Sequence, residues 1–203
     1  MANFTRIGYG QVEPNQLSAQ KTGQIYASLP LDKAVSVLQN GEFMYYDYKS
    51  GTVTADATVG EPMLVFNEIK LYEPFWQTSY KDFAMIRVGD NYVTSRLATA
   101  EYGDGALTEG ATIDPAHTEY GYRMDGIAPR VFKTNIGDIY TTNMVKVGVE
   151  YVVGDLLAPV KDATSNTLVL EKAAEDATGM LWQVAKVYTM PDGQPGLKLQ
   201  RVQ

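Results

Sequence analysis

From Gln24 onward the apolar residues fall into short runs separated by Gly, Pro, Asn and Asp, and helical spacing is nowhere sustained. "QIYASLPL" reads as a strand closed by Pro30, and "AVSVLQNGEFMYYDYKSGTVTA" as β-forming runs punctuated by Asn40-Gly41 and Ser50-Gly51. Asn-Gly tolerates the positive φ angles of a tight hairpin, so a hairpin is expected at each pair. A helix over 32–39, capped by Asp32 and stopped by Gly41, competes with this reading. The β-branched Val35 and Val37 and the turn behind them favour a strand. Met63 to Phe66 is an unbroken apolar run, the pattern of a strand buried on both faces. Pro62 stands where such a strand can begin, and Pro74 ends the segment. "DFAMIRVGDNYVTSRLAT" predicts a strand, a turn at Gly89-Asp90 and a further strand from Tyr92.

Between about 100 and 130 the periodicity is lost and glycines recur, which predicts a long central loop or insertion. The β pattern then resumes in runs broken by Gly137-Asp138, Gly148 and Gly154-Asp155. Glu171 to Ala177 is the best local helix former and predicts a turn or two of helix. In the last segment Trp182, Val184, Lys186 and Tyr188 alternate with Leu181, Gln183, Ala185 and Val187, "PDGQPG" makes a turn, and "LKLQRV" closes the chain as an edge-type strand. Residues 1–23 are polar, carry Pro14 and show no period, so they read as an extended N-terminal arm. The fold class is therefore mainly β: a β-sandwich or β-barrel-like domain over 24–203, with the arm in front and the long loop inside. A division into two β-subdomains, about 24–100 and 131–203, stays open.

Composition narrows the function more than the fold. The chain has 203 residues, 45% hydrophobic and 20% charged, enough for a core without staples. It has no cysteine, so disulfides and thiolate metal sites are excluded. Its net charge of −7 disfavours nucleic acid and anionic lipid as partners. No run reaches the length of a membrane span, and "MANFTRIGYGQ" has no signal-peptide core, so no signal peptide is expected here and the sequon at Asn3 carries no weight.

Candidate chemistry is sparse. The Gly-Asp pairs, including Gly103-Asp104, lie between β runs with no helix start and no Gly-Lys-Ser/Thr, so they read as turns or bulges and not as phosphate loops. "GYG" at Gly8 to Gly10 follows no strand and precedes Pro14, unlike a dinucleotide fingerprint. His117, with Asp114 and Glu119, lacks the further histidine or cysteine a metal site needs. Tyr102 to Gly110 lacks the ligand spacing of a calcium loop. No nucleophile–base pair is visible. We therefore expect no catalytic residue, no cofactor and no metal. The aromatic clusters at Phe43, Tyr45, Tyr46 and Tyr48 and at Tyr72, Phe75, Trp76 and Tyr80 should divide between core and contact surface.

Three stretches carry a family likeness: Val37 to Glu68, "VGVEYVVGDLLAPV", and the closing "GMLWQVAKVYTMPDGQPGLKLQRV". Together they resemble head auxiliary proteins of tailed bacteriophages, the capsid decoration or cement proteins. The resemblance implies a non-enzymatic β-rich subunit on the outer surface of the virion capsid. Its partners would be the major capsid protein and itself, as a homo-oligomer with a trimer as the leading expectation, with no nucleic acid and no membrane. Phe4, Ile7, Tyr9, Val12 and Leu17 are the arm's candidate capsid or subunit contacts. Two alternatives are a tail-tube or head–tail connector component, and a carbohydrate-binding β-module using Trp76 and Trp182.

Overall fold

The structure is a computed structural model that describes residues 3–6, 10–32, 34–35, 37–56, 60–67, 70–71, 81–82, 85–87, 128–191 and 193–203. In chain order its elements are β1 (Val12–Gln16), α1 (Ser18–Thr22), β2 (Ile25–Tyr26), β3 (Val37–Gln39), β4 (Phe43–Asp47), β5 (Thr52–Thr54) and β6 (Met63–Val65). The short strands β7 (Lys70–Leu71), β8 (Lys81–Asp82) and β9 (Met85–Arg87) follow. The C-terminal part holds β10 (Val131–Phe132), β11 (Ile139–Thr142), β12 (Leu156–Asp162), β13 (Thr167–Lys172), β14 (Trp182–Thr189) and β15 (Pro195–Arg201).

One 11-stranded antiparallel sheet dominates, in the order β1-β11-β15-β14-β12-β13-β4-β6-β10-β2, with β5 attached to β4. The sheet curls into a half-barrel, so the chain is mainly β and barrel-like, as its pattern predicts. Strands β3 and β9, and β7 and β8, form two small separate pairs. The long loop expected at 100–130 lies, up to residue 127, outside the described residues.

The half-barrel encloses a large core in which Phe43, Tyr140, Leu157, Leu170, Trp182 and Leu199 are fully buried. The Tyr140 and Trp182 rings meet edge to face, 4.8 Å apart. A second core, with Leu38, Met44, Val53, Val65 and Val131, lies on the opposite side of β4, β6 and β10. Adjacent residues therefore point into different cores: Phe43 and Met44, Leu64 and Val65, Phe132 and Val131. This two-sided burial explains the unbroken apolar run at Met63 to Phe66.

The N-terminal segment needs a correction. It does run extended over Val12–Gln16, but it is docked on this chain's own sheet, where β1 pairs with β11. Phe4 enters the large core against Tyr151, ring centroids 5.7 Å apart, and Leu17 is 2% exposed in the same core. Backbone bonds tie Phe4 to Val149 and Gly148, and the Asn143 side chain accepts the Gln11 N–H at 2.7 Å. Phe4, Leu17 and, in part, Val12 thus find apolar partners within the chain.

Four local expectations also yield to long-range pairing. Asn40-Gly41 makes a turn with Gly41 at φ 93°, but β3 pairs with β9 and not with β4, so it closes no hairpin; Ser50-Gly51 does, between β4 and β5. The helix expected over 171–177 is absent, because Glu171 and Lys172 end β13 in register with β12. Strand β15 is interior, flanked by β11 and β14; the edges are β1 and β2. A register shift between Val184 and Lys186 breaks the alternation of β14, leaving Lys186 exposed opposite Lys198.

Two stability tests follow from this packing. Phe4→Ala should cost about 3 kcal/mol in urea unfolding, and removal of residues 1–16 more, because a core side chain and an edge strand are lost. Tyr140→Phe should be neutral or stabilising by about 1 kcal/mol, since its buried hydroxyl has no hydrogen-bond partner among the described residues. A clear loss of stability in that variant would show the hydroxyl to be bonded.

Candidate functional site

Two Gly-Asp pairs build the same device. In 135–138 and in 152–155 the glycine is left-handed, at φ 94° for Gly137 and 98° for Gly154. The aspartate N–H donates to the carbonyl three residues back, Asp138 to Asn135 at 3.0 Å and Asp155 to Val152 at 3.2 Å. The aspartate carboxylate in turn accepts the N–H of that same residue, at 2.9 Å from Asn135 and 2.8 Å from Val152. Each turn then docks on a neighbouring strand in one manner. Gly137 donates to the Arg201 carbonyl and Arg201 donates to that of Asp138; Gly154 and Asp155 repeat this with Val184. The lock is thus local and reciprocal, and its purpose is visible at the tip: the apolar residue before each glycine is held out to solvent, Ile136 at 71% exposure and Val153 at 65%.

Charge reinforces both turns. The Asp138 carboxylate is buried and also accepts the N–H and the hydroxyl of Ser18, which ties the first turn to α1. Burial works to raise the pKa of Asp155, but Lys172 Nζ at 2.8 Å and the Val152 N–H outweigh it and hold the carboxyl below its usual range.

Immediately after each turn a strand begins, and the register aligns the two starts. Gln16 stands opposite Ile139, Ile139 opposite Gln200, Gln200 opposite Gln183, and Gln183 opposite Leu156. Their neighbours Tyr140, Leu199, Val184 and Leu157 are buried, so by strand alternation this row lies on the outer face of the half-barrel. It crosses β1, β11, β15, β14 and β12, about 19 Å at sheet spacing. Every member is uncharged, with Leu156 exposed at one end and Ile139 near the other. Further along the same face Lys186 and Lys198 stand opposite each other and form a charged border. The strip is uncharged, three of its five members being glutamines, and the exposed Ile136 and Val153 stand on the turns that open β11 and β12.

A second feature lies at Glu42, beside the start of β4. Its carboxyl is 1% exposed, and its Oε2 accepts the Gln39 N–H at 2.7 Å. Burial pushes its pKa up to about 7, against the pull of the Gln39 N–H, the Thr167 hydroxyl and the Arg6 guanidinium; the Asp162 charge adds to the rise. Glu42 lines a cavity of about 380 Å3 that also touches Arg6, Met144, Lys146 and Asp162.

Of the residues singled out from the sequence, Phe4 and Leu17 are core residues and Val12 is half-buried on β1; Ile7 and Tyr9 lie outside the described residues. Trp182 is fully buried and offers no face to a sugar; Trp76 lies outside the described residues. The tyrosine cluster divides as expected: Phe43 is core, and Tyr48 is 73% exposed in a row with Tyr46 and Tyr26, neighbouring centroids 5.2 Å apart. Among the described residues no group of carboxylate and histidine side chains is placed to hold a metal ion. Sequence reasoning identified the Gly-Asp turns but not the row between them. Its one signal was the match of "NIGDIY" with "VVGDLL", an apolar-Gly-Asp-apolar-apolar pattern. Set against protein-family models, curated proteins and solved structures, the chain matches none of them.

Gly154→Ala should cost about 1 kcal/mol through backbone strain alone, since a Cβ there would meet nothing within 4 Å. Thermal unfolding measures it. Glu42 gives a pH signature. Its folded pKa is raised above the ordinary 4.5, so its contribution is most favourable below that value and is lost as pH rises through about 7. Relative to Glu42→Gln, the wild-type chain should lose on the order of 3 kcal/mol between about pH 5 and pH 8. Parallel stability profiles for the two proteins would refute it.

Proposed function

We propose that this chain is a tailed-bacteriophage virion protein that decorates the assembled head as a cement protein. It attaches to the major capsid protein and to copies of itself, a trimer being the expected oligomer, on the outer surface of the capsid. The reading assigns it no catalysis, no cofactor, no nucleic acid and no membrane. The observation that supports it best is the uncharged outer row, ending at the exposed Leu156, with Ile136 and Val153 held out by two locked turns. One of the stretches that resembles decoration proteins, Val147 to Val160, contains Val153 and Leu156.

The physics of such attachment suits this surface. Apolar tips on rigid turns lose little conformational freedom on docking. Repetition over a lattice raises effective affinity, so each copy needs only modest contact area. The N-terminal segment contributes to the same surface through Gln16 at the end of the row, while Phe4 and Leu17 keep it attached to the domain. This replaces the free clasping arm with a fixed edge.

Co-sedimentation with purified heads tests the proposal. Val153→Asp and Leu156→Asp should each weaken head binding tenfold or more with little change in melting temperature, since both side chains already face solvent. Unaltered binding in the double variant would reject this surface. Rings or tubes formed by the protein alone, with no head binding, would favour a tail-tube or connector role.

A further inference from the structure

The Glu42 cavity has a charge inventory that the docking surface does not explain. Lys146 Nζ lies 2.8 Å from both carboxylate oxygens of Glu171, and Lys161 Nζ lies 2.5 Å from Asp56. The Asp162 carboxylate accepts the Thr164 N–H at 2.8 Å. Arg6 differs from these. Its guanidinium abuts the Met144 thioether, and among the described residues no carboxylate, carbonyl or hydroxyl accepts from it. A guanidinium carries five N–H donors in a planar fork, and a thioether sulfur is a weak acceptor. Burial depresses the Arg6 pKa, and the nearby Glu42 and Asp162 charges pull it back up without bonding to it. The cavity therefore presents a half-buried cation most of whose donors have no acceptor among the described residues, beside the apolar side chains of Met144, Val147 and Val169.

We propose that this cavity is a binding site for a small monocarboxylic acid, whose carboxylate pairs with the Arg6 guanidinium and whose alkyl part lies against Met144, Val147 and Val169. The fork geometry of Arg6 matches the two oxygens of a carboxylate. Asp162 and Glu171 share the cavity, so a dianion such as phosphate meets more repulsion than a single charge. The volume, about 380 Å3, falls in the range of small-molecule sites. Arg6 reaches the cavity because Phe4 anchors the N-terminal segment, so the site exists only while that segment is docked.

Glu42 makes the binding proton-linked. The charged groups facing it are Arg6 and Asp162; the Gln39 N–H and Thr167 hydroxyl bond it, and Lys146, Lys161 and Glu171 line the rest of the cavity. A carboxylate seated on Arg6 places a further negative charge near Glu42 and draws Arg6 away from it, so Glu42 takes up a proton. The inference stands apart from the head-decoration reading and needs no capsid to test. Isothermal titration of the full chain with butyrate near pH 7, in two buffers of different ionisation heat, should show saturable binding with proton uptake. Arg6→Gln should weaken butyrate binding at least tenfold, and Arg6→Lys should restore part of it. Glu42→Gln should still bind but take up no proton, a result that a purely structural Arg6 would not produce. Inorganic phosphate should bind less tightly than butyrate. Absence of saturable butyrate binding, unchanged binding in a folded Arg6→Gln variant, or tighter binding of phosphate would each overturn the proposal.

Discussion

Phe43 and Met44 are adjacent in the chain, yet they enter two different hydrophobic cores, and the same split recurs at Leu64 and Val65 and at Val131 and Phe132. Where these six residues lie, β4, β6 and β10 are thus buried on both faces, and the rest of the architecture is arranged to allow it. The backbone groups there are shielded from water and must be paired within the protein. Where the regular ladder stops, two buried asparagines continue it. Asn40 donates its amide to the Asn67 carbonyl and accepts the Asn67 N–H, while Asn67 accepts the Arg130 N–H. On the far side β5 with Leu31, Val35 and Leu38 covers one face; on the near side the half-barrel closes over the other.

That closure gives the N-terminal segment its role. Phe4 fills a place against Tyr151, β1 covers the edge of β11, and Ser18 binds the buried Asp138. Pro14 and a register irregularity blunt the free edge of β1, which discourages uncontrolled strand addition there. The same docking carries Arg6 to the Glu42 cavity and Gln16 to the outer row. A segment that reads as a tail in isolation is therefore a part of both surfaces that could meet a partner.

The outer row depends on a small piece of backbone chemistry used twice. In each locked turn an aspartate satisfies the backbone of its own loop, and a glycine adopts a conformation other residues rarely take. Exposure of Ile136 and Val153 is thus enforced by the turn and not left to side-chain chance. Rigid presentation of apolar side chains lowers the ordering cost of any contact they make.

Local chemistry in the sequence was enough to determine the β class, the turns at Ser50-Gly51, Gly137-Asp138 and Gly154-Asp155, and the doubly buried run at Met63. Each of these depends on φ preference or on alternation between near neighbours, which a short window contains. Only the tertiary structure decided that residues 12–16 pair with β11, that β15 is interior, that Glu171 and Lys172 extend a strand, and that Ile139, Gln200, Gln183 and Leu156 align. The cavity joining Arg6 to Glu42 belongs with these. Such features are set by which distant segments pair and in what register. A strand's own residues specify that it will be a strand and which face is apolar, but its partner is chosen by the burial the whole sheet achieves.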